Sequence, residues 1–535
     1  MWGKIGTNHL TQFADVENTL ADVQDRQVVP RIWQKDYSVW KDDPFEIGDR
    51  LGWLDLTNTM LPQVADLKDF ANQIKDLGYG HVVLLAMGGS SLAPEVIRQT
   101  FGNAPGYPEL IVLDSTLPKR ILEVTDQVDL AHTLFLLSSK SGSSIESLSL
   151  YQHFRLKVDI LLGSTTAGKN FVAITDLGTP LARLAQDQGF RNVFFAQSDV
   201  GGRYSALSHF GLVPAALIGV DLEKLLLRAT SMRATCSPAV HISENPGATL
   251  GGIIGSLALK GRDKLTLLTS PSIVRFGLWA EQLIAESTGK DGKGIVPVIG
   301  EPLLEVESFG RDRVFVYLRV EDDSNLELDA FIQEIQSSGQ PVLRLDLADA
   351  YDVGAEFFRW EMATAIAGSV MGIHPFNQPD VQATKDATDG LLAQYQISGR
   401  LEEVDASNSL DELLSQATTG DYLVILAYVH ENPEIERALA AIRKRVTKEY
   451  KIATCLGYGP RYLHSTGQLH KGGANTGLFL EITESVDHDL PVPGQIYSFG
   501  VLSNAQARGD LKALQTSGRR TAKLTKEQVL ALNIG

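Results

Sequence analysis

Short apolar runs alternating with helix-patterned stretches predict an α/β fold with parallel sheets covered by helices on both faces. Three observations carry that expectation. Runs such as HVVLLA at 81–86 are apolar throughout, as strands buried on both faces must be. Between the runs, Leu150, Phe154 and Val158 recur every four residues, which is helical spacing. The strand–helix block then starts again near residue 248, so two subdomains of related build are expected.

Taken in order, residues 1–50 are polar and helix-prone, carry Trp2, Trp33 and Trp40, and read as a surface arm. Residues 51–230 form the first α/β subdomain, with strands expected at 81–86, 110–113, 134–137, 171–174 and 193–196. Residues 231–420 form the second, with strands at 265–269, 314–318 and 342–345 and helices at 276–287 and 326–338. Residues 421–535 read as a βα segment packed on the second subdomain, with strands at 422–428 and 452–456 around a helix at 433–450.

The composition narrows the function. The 535 residues are 44% hydrophobic, ample for large cores. A formal charge of -17 disfavours nucleic acid or an anionic membrane as partner, and means that any phosphate site must be built locally. Cys236 and Cys455 make no disulfide framework and fit a reducing compartment. The Met-Trp-Gly-Lys start continues polar, and no apolar run reaches the roughly 18 residues of a membrane span, so a cytoplasmic protein is expected.

Six segments carry candidate chemistry. Gly88-Gly89-Ser90-Ser91 follows a strand and precedes a helix whose first turn should contain Pro94. Backbone N–H groups at such a turn can approach an anion, although a plain tight turn would need the same glycines. Ser138 to Ser144 (SSKSGSS) places five hydroxyls at the mouth of the next helix. One hydroxyl suffices for an N-cap; five point to a phosphate. Arg203 in VGGRYS can face a developing oxyanion or simply sit in a surface turn. In EQLIAESTGK, Phe276, Trp279 and Leu283 form the buried stripe while Gln282 and Glu286, four apart, share another face. Glu286 is a candidate general base; the alternative is a solvated glutamate. In HPFNQPDVQATK two prolines stiffen the turn around Gln378, and Lys385 reads as a cationic contact or a helix-surface lysine. In LHSTGQLH the two histidines are six apart, which does not suit one metal on a helix. His464 therefore reads as a proton-transfer group or a structural histidine. The run Arg443-Lys444-Arg445 reads as a solvated helix face.

The motifs MGGSS, SSKSGSSIES, VGGRYS, EQLIAESTGKDGKG and HPFNQPDVQATK, in this order, resemble the glucose-6-phosphate isomerase family, and within it the isomerase half of fused transaldolase–glucose-6-phosphate isomerases. The likeness spans about residues 45–525 and implies two sugar-isomerase (SIS-type) α/β subdomains with the active site between them. Position by position, it implies phosphate binding by Ser90, Ser139, Ser141 and Ser144, with Gly89, Gly202 and Lys140 nearby. It implies Arg203 as enediolate stabiliser, Glu286 as the base, Gln282 and Gln378 as substrate contacts, and Lys385 as the lysine of ring opening. Two departures stand out. The family's histidine precedes the lysine, whereas here the LHSTGQ segment with His464 follows it, and only His374 lies in the expected interval. Asn377 stands where many members carry aspartate.

The resemblance implies an aldose–ketose isomerase acting on a small phosphosugar, with no cofactor and no metal. It is compatible with a homo-oligomer and with a transaldolase as functional partner. Two rivals are a dual phosphoglucose/phosphomannose isomerase and a non-catalytic SIS-type phosphosugar sensor.

Overall fold

The computed structural model describes residue 10 and residues 15–532; Trp2 lies outside them. Thirteen strands form three separate, wholly parallel sheets among the described residues. The first contains β1 (His81–Ala86), β2 (Glu109–Leu113), β3 (Thr133–Ser138), β4 (Phe171–Thr175) and β5 (Asn192–Phe195), in the order β2-β1-β3-β4-β5. The second contains β6 (Lys264–Thr269), β7 (Val296–Ile299), β8 (Arg313–Val320) and β9 (Val342–Leu347), in the order β7-β6-β8-β9. The third contains β10 (Tyr422–Tyr428), β11 (Ala453–Tyr458), β12 (Gly477–Thr483) and β13 (Arg520–Thr525), in the order β11-β10-β12-β13. Each sheet begins in its middle, adds one strand on one side and the rest on the other. That leaves a topological switch point between its first and third strands, where ligand crevices form in such sheets.

The strands are where the apolar runs put them, because a central parallel strand must be apolar on both faces; β1 pairs β2 and β3 over nearly its whole length. Three strands escaped the sequence reading. β7 contains Pro297, which reads as a breaker but sits on an edge strand pairing only with β6. β12 and β13 complete a sheet where only a βα extension was expected.

Residues 15–50, expected as part of a surface arm, pack into the core instead. Helix Val16–Asp25 buries Val16, Leu20 and Val23, and Val28, Val29, Ile32 and Trp40 join the same core, which the first and second sheets share. The polar residues had masked a one-sided stripe. Trp40 donates its indole N–H to the Ala365 carbonyl at 2.7 Å. A second core under the first sheet takes Phe499, Leu502 and Ala505 from helix Phe499–Thr516. The third sheet meets the second where Val296 and Val298 of β7 pack with Val424, Ala453 and Cys455. No helix among the described residues is long and apolar enough to cross a membrane.

Arg443 is a second correction. Lys444 is solvated, but Arg443 is only 5% exposed. Its guanidinium donates to the Gly300 and Ile299 carbonyls at 2.7 and 2.8 Å and to Thr454. It ties the third sheet to the second, meeting carbonyls that need donors at the carboxyl end of β7 and Thr454 near the start of β11.

Candidate active site

The carboxyl ends of β1 and β3 open into a cleft of about 730 Å³, and almost every candidate residue lines it. Gly88 adopts a left-handed φ of +54° and caps helix Gly89–Phe101, which begins a turn earlier than the sequence suggested; Pro94 lies in its interior. A Cβ on Gly89 would collide with the Gly202 carbonyl. The glycine is therefore needed for the loop carrying Arg203 to cross the first helix mouth.

Ser144 occupies the N-cap position of helix Ile145–Leu162 but makes no side-chain cap. Its hydroxyl instead meets Ser139 Oγ at 3.1 Å, and Ser139 Oγ accepts from the Gly142 N–H. Ser141 and Ser143 pair at 2.9 Å. The hydroxyls form a cluster over free helix amides, an arrangement suited to an anion. Lys140 turns away to Asp176 at 2.5 Å and the Ser198 carbonyl, so its side chain braces the loop. Ser90 is buried beside this cluster, on the cleft wall.

On the facing side, helix Phe276–Thr288 is buried on nearly every residue, including the face expected to be polar. Glu286 is 4% exposed and receives Arg203 Nη1 at 3.1 Å. Burial pushes its carboxyl above the usual range, and the Arg203 charge and hydrogen bond oppose that push. Arg203 also donates to Ser287 Oγ and to the Pro375 and Asn377 carbonyls. Those bonds occupy four of the roughly five guanidinium N–H donors and leave one for a ligand. Gln282 donates to the His464 carbonyl at 2.8 Å and to Glu286 at 3.4 Å. Its amide nitrogen is thus committed to the protein, while Oε1 is a buried acceptor without a partner among the described residues. Gln378 lies exposed on the rim. Lys385, on helix Gln382–Ser398, lines the cleft with no hydrogen bond or ion pair to the described residues.

The two histidines separate sharply. His374 accepts the Phe376 N–H at Nδ1 and contacts the Phe45 carbonyl through Nε2 at 3.0 Å. Both nitrogens are consumed, the ring is neutral, and burial lowers its pKa to about 4. It lies outside the cleft lining. His464 ends the turn Arg461–His464, just after β11. Its Nε2 meets Glu146 Oε1 at 2.9 Å, and Nδ1 has no partner among the described residues. Burial alone would lower the His464 pKa, but the Glu146 carboxylate outweighs it and holds the ring above the ordinary imidazole value. Burial likewise opposes ionisation of Glu146, and the imidazolium outweighs that, so Glu146 titrates below its usual range.

Glu146 was missed in the sequence. Its signal was faint: a lone glutamate in the first turn of a helix following SSKSGSS, where an acidic residue needs no further explanation. Among the described residues no group of three His, Cys, Asp or Glu side chains is arranged to hold a metal. A second cleft of about 860 Å³ beside β9 is lined by Arg228, Arg319 and Arg344. Each of these is already paired, with Asp352, Asp329 and Asp346 respectively, so the unpaired chemistry concentrates in the first cleft.

Residues 66–294 match the family model for phosphoglucose isomerase. That span includes the serine loop, Glu146, Arg203 and Glu286, and ends before Lys385 and His464. The glucose-6-phosphate isomerase of Staphylococcus haemolyticus is 28% identical over 409 residues, covering 67% of this chain and 90% of the relative. That of Staphylococcus aureus NCTC 8325 is 29% identical over 394 residues, covering 65% and 87%. Among solved structures, a hypothetical protein from Thermus thermophilus superposes with a TM-score of 0.61 at 25% identity, covering 75% of this chain and all of that one. A glucose-6-phosphate isomerase from Chlamydia trachomatis has the same fold, with a TM-score of 0.61 at 17% identity over 71% of this chain and 86% of its own.

Proposed function

We propose, from the match of residues 66–294 to the phosphoglucose isomerase model and the likeness to glucose-6-phosphate isomerases, that this chain interconverts glucose 6-phosphate and fructose 6-phosphate through a cis-enediolate. The observation that carries this reading is the buried Glu286–Arg203 pair, 3.1 Å apart, across a cleft from a hydroxyl-rich helix mouth. A phosphate bound by Ser90, Ser139, Ser141 and Ser144 would lay the sugar across the cleft toward Glu286. His464, with Nδ1 unengaged and Nε2 held by Glu146, passes a proton between the ring oxygen and the anomeric hydroxyl, and Lys385 supports the opened sugar. Glu286 takes the C2 proton and returns it to C1. Its raised pKa makes it a better match to neutral pH than an exposed carboxylate. Negative charge builds on the substrate oxygens, and the uncommitted donor of Arg203 faces it at no reorganisation cost. The Gln282 Oε1, unpartnered among the described residues, is free to accept from a substrate hydroxyl.

A binding-only phosphosugar sensor has no use for a buried base held by an arginine, which argues for the enzyme. The combination of SSKSGSSIES with HPFNQPDVQATK supports kinship with the isomerase halves of transaldolase fusions. The test is a coupled assay for fructose 6-phosphate formed from glucose 6-phosphate with EDTA present, run beside mannose 6-phosphate. No turnover of glucose 6-phosphate would end the proposal; comparable turnover of both sugars would replace it with the dual isomerase.

A further inference from the structure

His464 is delivered by the third sheet, whereas Glu146 and the phosphate loop belong to the first. Something must hold the two in register, since proton transfer requires heavy atoms within hydrogen-bond reach. The short loop that follows β2 makes two contacts that do so. Asp114, its side chain 4% exposed, receives Arg461 Nε and Nη2 at 2.8 and 2.9 Å, a bidentate grip on the first residue of the turn that ends in His464. Two residues on, Thr116 Oγ1 donates to Gln506 Oε1 at 2.9 Å. That bond fixes which way the Gln506 amide faces, so its Nε2 donates to Glu146 Oε1 at 2.7 Å. The same carboxylate oxygen takes the His464 ring at 2.9 Å.

We propose that Asp114 and Thr116, through Arg461 and through Gln506–Glu146, are positioning residues that hold the His464 imidazole for ring opening. The inference rests on the ring-opening reading of His464. Asp114, Thr116 and Arg461 do not line the cleft, so their effect on a sugar must pass through the histidine. The two arms grip opposite ends of one short turn, the side chain of its first residue and the ring of its last, which restrains where the imidazole sits. The geometry also explains why Arg461 is an arginine. A lysine offers Asp114 a point charge and cannot fix orientation by two parallel bonds.

The experiment isolates ring opening. In a Glu286→Gln background proton transfer between carbons is off, and exchange between the α and β anomers of glucose 6-phosphate, followed by NMR magnetisation transfer, reads ring opening alone. Thr116→Val and Arg461→Met should each slow enzyme-catalysed exchange about tenfold at saturating substrate, with the midpoint for glucose 6-phosphate binding unchanged within about twofold. Arg461→Lys should recover part of the loss, which a general packing defect would not allow. His464→Ala in the same background is the reference. If it slows exchange while Thr116→Val and Arg461→Met leave exchange normal or weaken binding equally, the positioning inference is overturned and the function of His464 stands. If His464→Ala itself leaves exchange unchanged, the ring-opening reading fails and the inference falls with it. Thr116→Val is nearly isosteric and decides the matter should Arg461→Met fail to fold.

Discussion

Two opposed effects suit Glu286 to the proposed role of base: burial raises its pKa, and Arg203 keeps that rise in check. Glu286→Gln keeps the shape and loses the proton acceptor, so kcat should fall at least about a hundredfold while KM changes little. Near-normal kcat would remove Glu286 from the mechanism. His464→Ala should slow turnover of cyclic substrate yet spare proton exchange on an open-chain analogue; His374→Ala should show no such selectivity, since both its ring nitrogens are tied to backbone. His374 makes a separate prediction about pH. Its folded pKa is about 4 against an ordinary value of 6.5, as is that of buried His153. Between those values the unfolded chain binds more protons than the folded one, so stability should rise with pH from about 4 to 6.5. His374→Gln should flatten part of that rise, read as urea midpoints at the two ends of the window. An unchanged difference between the midpoints would mean that His374 does not titrate this way.

At the scale of elements, the serine loop separates two roles that the sequence left joined. Ser144 holds the cap position without capping, so Ser144→Ala should leave thermal stability almost unchanged, whereas Asn432, which accepts from the Glu434 and Ile435 N–H groups, should cost about 1 kcal/mol on truncation to alanine. Ser139→Ala with Ser144→Ala should raise KM at least about tenfold, since a hydrogen bond to a charged group is worth about 1.5–3 kcal/mol. A double variant with normal KM would move the phosphate elsewhere. The helix Phe276–Thr288 was legible as a helix from Phe276, Trp279 and Leu283. Its burial on the opposite face was not, because that surface is covered by segments distant in sequence: the Arg203 loop and the His464 turn.

Across the whole molecule, three sheets share one strand order, yet only one switch point is open among the described residues. In the second sheet Asp323 accepts the Ser272 N–H at 2.7 Å and Asn325 takes the Ser270 hydroxyl. In the third, Glu484 accepts the His430 N–H at 2.7 Å and pairs with Lys526. A carboxylate of the chain itself fills the place where an anion would sit, and repels one. The first sheet has hydroxyls there instead, which leaves it the switch point suited to the proposed phosphosugar despite the overall acidic charge. The second and third sheets are joined through Glu301, which takes Arg313 Nη1 at 2.8 Å and the Thr454 N–H at 3.0 Å in full burial. Glu301→Ala would strand the buried Arg313, at a cost of about 3–5 kcal/mol. The urea midpoint should fall accordingly with the slope unchanged; a shift under about 1 kcal/mol would show that the joint is not held by this pair.

The central strands of the first two sheets and β10 of the third, the helix at 276 and the order of the glycine and serine loops were determined by the sequence alone, because their signals are local: uninterrupted apolar runs, four-residue spacing, and glycine where a helix mouth must stay open. Other features were decided only by the tertiary structure. Glu146 became the partner of His464, Arg443 a buried tie, and residues 15–50 part of the core, each through contact with chain distant in sequence. A charged side chain looks the same in sequence whether it meets water or a buried partner. Only the fold brings the partner, and the exclusion of water around the pair is what turns a common residue into a working one.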